Sequence, residues 1–272
     1  MLLYLQSVLL GIVEGITEFL PISSTGHMII VDEFINMDES FKNMFFIVIQ
    51  LGAILSVLIY FHKKLFPVKA FRDKAEFRIM FLLWCKAAVG VIPAVIIGGL
   101  FGSRIQRFLF NVPTVATTLL IGGIALILIE RKKMASRIDG VDRMTFTQAF
   151  LIGCAQCVSL IPGVSRSAAT ILGAMFLGTT RETAVEYSFY LAIPTMFAAS
   201  VYSLIKKASD LTAPQWIATG IGFLVSFLVA LGVIAFFMDY IRKKDFKLFG
   251  WYRIALGLIV LIFFYAVKPF LA

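Results

Sequence analysis

Residues 11–27 read GIVEGITEFLPISSTGH, and residues 156–170 read QCVSLIPGVSRSAAT. Each lies inside a long apolar region, 3–35 and 147–178. Each region is broken near its middle by a proline and a cluster of hydroxyl residues, Pro21-Ile22-Ser23-Ser24-Thr25-Gly26 and Pro162-Gly163-Val164-Ser165-Arg166-Ser167. What such breaks mean depends on the solvent around them. Hydrophobic residues make up 60% of the 272 and charged residues 15%, against roughly 45–50% and about 25% in soluble domains. That balance points to a helical membrane bundle. In a bilayer, non-helical backbone survives only where protein buries it or it lines a polar cavity. Both breaks therefore predict re-entrant helix pairs that enter and leave on one side.

Six further segments, about 44–61, 82–101, 114–130, 184–205, 215–238 and 251–270, are long and apolar enough to cross a bilayer, which takes about 17–25 residues. With both broken regions re-entrant, loops 62–81, 131–146, 181–183 and 239–250 share one face. They hold Lys63, Lys64, Lys69, Arg72, Lys74, Arg78, Arg131, Lys132, Lys133, Arg137, Arg143, Arg181, Arg242, Lys243, Lys244 and Lys247. The other face holds only Lys42, Arg104, Arg107, Lys206, Lys207 and Lys268. This bias marks the first face as cytoplasmic and puts the amino terminus outside. It also accounts for the net charge of +9 without nucleic acid, through topology and anionic headgroups. Met1 to Gln6 lacks the basic start of a signal peptide and reads as retained structure. Cys85, Cys154 and Cys157 read as small packing residues, because no second CxxC completes a zinc site.

Sliding the chain by 142 residues superposes Gly11 on Gly153, Glu14 on Gln156, Ser23 on Ser165 and Thr25 on Ser167, although the prolines miss by one. The segment order also repeats: a broken pair, then three spans, twice. Three is odd, so the second unit is inverted. The expected fold is thus an all-α polytopic membrane protein, one domain of residues 1–272. It has six transmembrane helices plus two re-entrant helix pairs in an inverted-topology repeat, with units about 1–135 and 145–272. The tips of the pairs would meet near the midplane.

The chemistry concentrates at those tips. Glu14 and Glu18 share a helix face one turn apart. With Arg166 they bring three charges into the membrane interior, at roughly 2.5–3.5 kcal/mol each on insertion scales. A purely structural ion pair would need one carboxylate, not two. Ser23, Ser24, Thr25 and Gly26 form the start of a half-helix, whose free N–H groups and positive dipole end attract anions. His27 lies in its first turn. Pro162 to Ser167 repeats the design and adds Arg166, whose planar fork suits phosphate. Capping alone would also explain the serines. Two ionised glutamates repel a pyrophosphate, so either a proton or a divalent cation must intervene. A Mg²⁺ or Ca²⁺ shared with the substrate, held by Glu14 and Glu18, is the favoured expectation.

At these residues the sequence resembles the bacterial undecaprenyl-pyrophosphate phosphatase family of the bacitracin-resistance type. Glu14 to His27 is similar to its acidic motif with the SSTGH continuation, and Pro162 to Thr170 to its PGxSRSxxT motif. Ala168 stands where some members carry glycine. Ile49-Gln50-Leu51-Gly52 and Glu186-Tyr187-Ser188-Phe189 are similar too. The resemblance implies hydrolysis of undecaprenyl pyrophosphate to the monophosphate carrier of peptidoglycan synthesis, with divalent-cation dependence and a site open toward the outer face of the inner membrane. It implies Glu14, Glu18, Ser24, His27 and Arg166 as catalytic residues. Ser23, Thr25, Gly26, Ser165, Ser167, Thr170 and Gln50 would bind substrate. The nucleophile is Ser24, His27 or water, with Ser24 assisted by His27 preferred. A second lipid-phosphatase superfamily uses two catalytic histidines, and here His62 lies apart in a basic loop. The rival reading is a polyprenyl-phosphate flippase or transporter of the same architecture. Expected partners are the polyprenyl pyrophosphate and membrane lipids. A homodimer could use the small-residue stripes at Gly98-Gly99 with Gly102 or at Gly122-Gly123.

Overall fold

The computed structural model describes residues 1–35, 37–71, 73–132, 136–207 and 211–271. Arg72, Lys133 and the expected repeat boundary near 135 lie outside the described residues. The chain is all-helical: α1 (Leu2–Thr17), α2 (Ser24–Val31), α3 (Glu39–Tyr60), α4 (Lys74–Leu109), α5 (Val112–Arg131), α6 (Phe146–Gln156), α7 (Arg166–Phe176), α8 (Arg181–Lys207), α9 (Ala213–Lys243) and α10 (Lys247–Ile262). A π-helical turn, Phe263–Val267, continues α10. Among the described residues there is no strand, only an isolated bridge between Ile138 and Thr179.

Local chemistry sets the helix starts. Asp38 accepts from Phe41 N at 3.0 Å, and Asn111 accepts from Thr114 N at 2.9 Å with Pro113 just inside α5. Thr145 with Gln148 and Thr212 with Gln215 form capping boxes. Each satisfies orphan N–H groups that helix starts leave. Among the described residues, five helices are long and apolar enough to cross a membrane: α3, α4, α5, α9 and α10 with its π turn. The sixth expected span, 184–205, falls within α8, which is not among those five. Its physical setting differs. Val185, Tyr187, Ser188, Phe189, Tyr190, Leu191 and Ala192 are all fully buried, so protein rather than lipid surrounds this stretch of α8 and polar side chains are tolerated there, whereas Phe197 further along is exposed. At about 1.5 Å per residue, α1 with its 16 residues and α6 and α7 with 11 each fall short of the ~30 Å hydrocarbon core.

Packing follows side-chain size. Helix α1 turns Ser7, Leu10, Gly11, Glu14 and Gly15 inward and leaves Leu2, Leu5, Leu9, Ile12 and Ile16 outside, the arrangement of a helix facing lipid. A Cβ on Gly11 would lie 2.7 Å from Gly222 O of α9, so only glycine permits this approach. Gly153 of α6 meets Gly90 of α4 in the same way. The other main contacts are α3 with α9, α4 with α8, α3 with α8, and α5 with α10. Gly123 and Gly250 touch reciprocally where α5 crosses α10. By contrast, among the described residues a Cβ on Gly99 or Gly102 would meet nothing within 4 Å, while one on Gly98 would touch Leu160 at 3.6 Å, so Gly99 and Gly102 are the open part of that stripe. Cys154 is exposed and Cys157 half-buried, so Cys154 is not the interior packing residue expected. Lys86, an apolar-segment charge, is buried with its Nζ donating to Val141 O and Asp142 O at 2.9 and 2.7 Å.

Candidate active site

The two breaks fold alike. Ser23 and Ser165 cap α2 and α7, accepting from Gly26 N at 3.3 Å and Ala168 N at 3.2 Å. Both have positive φ, 72° and 73°, and among the described residues no other non-glycine residue does. Holding an L-residue there costs on the order of 1–3 kcal/mol, and such strain clusters at working sites. Gly163, with φ 87°, turns the chain just ahead of the second cap, pressed against Val115 and Thr118.

The tips meet at one carboxylate. Glu18 Oε2 accepts from Ser24 Oγ at 2.9 Å, and Glu18 Oε1 accepts from Arg166 Nη2 at 3.1 Å. Arg166 is further held by Nη1 donating to Ser188 O at 3.0 Å and by the Phe19 ring, 5.8 Å away. A second bond joins the tips, from Ser167 Oγ to Leu20 O at 2.9 Å. Together these surround a polar cavity of about 200 Å³ lined by Glu18, Ser23, Ser24, Thr25, Gln50, Ser159, Gly163, Ser165, Arg166 and Met196.

Not every expected residue faces that cavity. Gly26 is buried against Leu119 and Leu256. Thr170 is buried and bonds to Arg166 O and Ser188 Oγ at 2.9 and 2.7 Å, which steadies Arg166 from behind. Ser167 spends its hydroxyl on Ser165 and Leu20. His27 also turns aside. Its Nδ1 sits 2.8 Å from Ser23 O, and its Nε2 2.7 Å from the Tyr252 hydroxyl, with the two rings stacked. A carbonyl can only accept, so Nδ1 carries the proton and Nε2 accepts from Tyr252. The exposed His62 side chain, just after α3, hydrogen-bonds among the described residues only with Ile59 O.

Three residues that sequence reasoning did not assign to the site are part of its frame: Tyr252, Ser188 and Arg253. Arg253 is fully buried. Its Nη1 donates to Pro21 O at 3.2 Å, and its Nη2 to Thr118 O, Gly163 O and Val164 O at 3.1, 3.0 and 3.0 Å. One guanidinium therefore fastens both tips to α5. The available signal was an arginine inside an apolar segment, which must find partners within the protein.

The acidic pair bears on the expected cation. Glu14 is 2% exposed, and its Oε1 has no hydrogen-bond partner. An orphaned carboxylate oxygen in a buried site fits a cation or a proton. Both Glu18 oxygens already receive donors. Among the described residues no group of three or more His, Cys, Asp or Glu is gathered as a ligand set. The donor set therefore fits a cation that takes most of its ligands from substrate and water, as Mg²⁺ characteristically does.

Undecaprenyl-diphosphatase 1 of Clostridioides difficile (strain 630) is 47% identical over 262 residues, covering 96% of each chain. An undecaprenyl-diphosphatase of Lactiplantibacillus plantarum is 48% identical over 266 residues, covering 95% of this chain and 97% of that protein. One from Enterococcus faecalis is 48% identical over 265 residues, covering 95% and 96%. Residues 7–259 match the model of the family described as bacitracin resistance protein BacA, and that match spans both tips and nearly every helix, so the chain belongs to the BacA family of multi-pass membrane proteins.

Proposed function

We propose that the tips of α2 and α7 form the site at which this chain hydrolyses undecaprenyl diphosphate to undecaprenyl phosphate and inorganic phosphate. The hydrolase activity follows from the family and from relatives named undecaprenyl-diphosphatase along nearly the whole chain. The observation that carries the site is the meeting of Ser24 and Arg166 on one Glu18 carboxylate inside a polar cavity.

The arrangement suggests a partner exchange. An entering diphosphate draws the Arg166 guanidinium from Glu18 to its own oxygens, where the planar fork neutralises developing charge. Glu18, released, accepts the Ser24 hydroxyl proton. Ser24 Oγ then forms a bond to the terminal phosphorus as the bond to the bridging oxygen breaks, and undecaprenyl phosphate leaves. Glu18 hands the Ser24 proton to the departing undecaprenyl phosphate. Water then attacks the phosphoserine phosphorus, giving its proton to Glu18, and Glu18 returns that proton to Ser24 Oγ as the serine–phosphorus bond breaks. A cation held by Glu14 would screen the diphosphate charge. With both ring nitrogens engaged, His27 braces the first tip rather than attacking phosphorus.

On our reading the chain is an inverted repeat, a plan that would put this site where two half-helices converge. Its support is that several of the main contacts come in mates five helices apart. Thus α1–α9 mirrors α6–α4, α3–α9 mirrors α8–α4, and α3–α8 and α5–α10 map onto themselves. The paired strained serines and the reciprocal Gly123–Gly250 contact point the same way. On this plan α8 is the sixth span. The basic loops then face the cytoplasm, and the site opens to the outer side of the inner membrane. A homodimer would use the open stripe at Gly99 and Gly102.

The deciding experiment is phosphate release in detergent from C55 and C15 diphosphates by wild type, Ser24→Ala, Glu18→Gln and Arg166→Ala. All three variants should lose turnover, and a trapped phosphoenzyme should carry phosphate on Ser24. Turnover retained in Glu18→Gln and Arg166→Ala would overturn the site, and phosphate trapped on His27 would overturn the nucleophile.

A further inference from the structure

Among the described residues Arg253 donates only to main-chain carbonyls, and three of the four, those of Pro21, Gly163 and Val164, belong to the segments that wall the cavity. It reaches them by passing over Gly122 of α5, where a Cβ would collide with the guanidinium. The consequence lies in peptide geometry. A peptide unit is planar, and in a trans unit the C=O and the following N–H point in opposite directions. No cis peptide occurs among the described residues. The Val164 carbonyl points to Arg253 at 3.0 Å, so the N–H of Ser165 points away from it. Ser165 lines the polar cavity. Among the described residues no acceptor takes that N–H. The next two amides, of Arg166 and Ser167, open α7, where the first turn of a helix has no internal acceptor. Ser165 itself holds φ 73° and ψ 120° ahead of this right-handed helix.

We infer that Arg253 is a positioning residue: by holding the Val164 carbonyl it keeps the Ser165 N–H aimed into the cavity, where that amide donates to a phosphoryl oxygen of the substrate. This rests on the reading that the diphosphate occupies the polar cavity. Arg253 touches no substrate atom. Its charge stays behind the tip, and its effect passes through one peptide plane. Without it the 164–165 peptide is free to rotate, which would present a carbonyl to the phosphate in place of an N–H.

The test uses the full chain in detergent with C15 diphosphate. Replacing Ser165 by its α-hydroxy acid analogue turns the 164–165 amide into an ester and deletes only that N–H. Removal of one such preorganised donor lowers kcat about 100-fold, so the ester should show a loss of that order with KM within about threefold. Arg253→Met should match it, and Arg253→Lys, which keeps a donor, should recover part of the loss. The ester placed in the Arg253→Met background should cost nothing further, because both changes remove one element. A merely structural Arg253 would lower the folded fraction and leave kcat per folded molecule unchanged. Wild-type kcat in the ester variant, or losses that multiply in the combined variant, would overturn the proposal. Failure of the underlying site reading is distinguishable, since it would appear as wild-type turnover in Arg166→Ala.

Discussion

Replacing Arg166 with methionine separates what the cross-tip ion pair does for folding from what it does for chemistry. The Arg166 and Glu18 side chains are 11% and 8% exposed and meet at 3.1 Å. Removing the cation leaves Glu18 buried with only the Ser24 hydroxyl and with Glu14 a turn away. Breaking a buried pair from one side costs about 3–5 kcal/mol, which corresponds to a fall in melting temperature of roughly 6–20 °C for a chain of this size. Neutralising both partners, Arg166→Met with Glu18→Gln, removes the stranded charge. The double variant should return to within about 1–2 kcal/mol of wild type, because a neutral replacement avoids the desolvation penalty. Turnover should behave oppositely. Both single variants and the double should lose at least about a hundredfold in kcat, since each lacks a group that stabilises or prepares the transition state. The assay pairs thermal denaturation in detergent with phosphate release from C55 diphosphate. A double variant that regains turnover along with stability would show that the pair merely holds the bundle. An Arg166→Met protein as stable as wild type would refute the burial argument itself.

Other expected outcomes are more local. Exhaustive chelation of membranes should abolish phosphate release and added Mg²⁺ should restore it, with Glu14→Gln needing more Mg²⁺ for half-maximal rate. Equal rates in chelated and supplemented membranes would remove the cation from the scheme. Tyr252→Phe deletes one hydrogen bond to His27, worth about 0.5–1.5 kcal/mol, so kcat should fall less than about tenfold. Gly153→Ala forces a Cβ onto the Gly90 backbone, and overpacking of this kind destabilises by about 1–3 kcal/mol, readable as a lower melting temperature. Gly99→Ala, at an open position, should leave the melting temperature of the monomer unchanged.

The sequence made the breaks legible because a bilayer allows so few explanations for a proline and hydroxyl cluster inside apolar sequence. Glu18, Ser24 and Arg166 could be gathered for the same reason. The role of α8 was harder to read. Its interior position depends on which helices surround it, and hydropathy sees only composition. The frame of the site was hidden more deeply. Arg253 and Tyr252 lie more than 220 residues from the first tip, and a contact between a side chain and a main-chain carbonyl leaves no pattern of residue types. His27 was placed in the right helix, but its partner could not be read from spacing. On α2 the turn of one side chain decides whether it faces the phosphate or the neighbouring helix.

The bonds between the two tips have a mechanical meaning. Carriers built on paired broken helices move substrate by rocking one half against the other around a fixed midpoint. Here Glu18 to Arg166, Ser167 to Leu20, and the Arg253 clamp across Pro21, Gly163 and Val164 rivet the two halves together at that midpoint. Rocking would have to break them all at once. On the proposed plan, a scaffold of the kind used for alternating access would be held in one posture, an anvil on which a diphosphate is cut rather than a gate through which it passes.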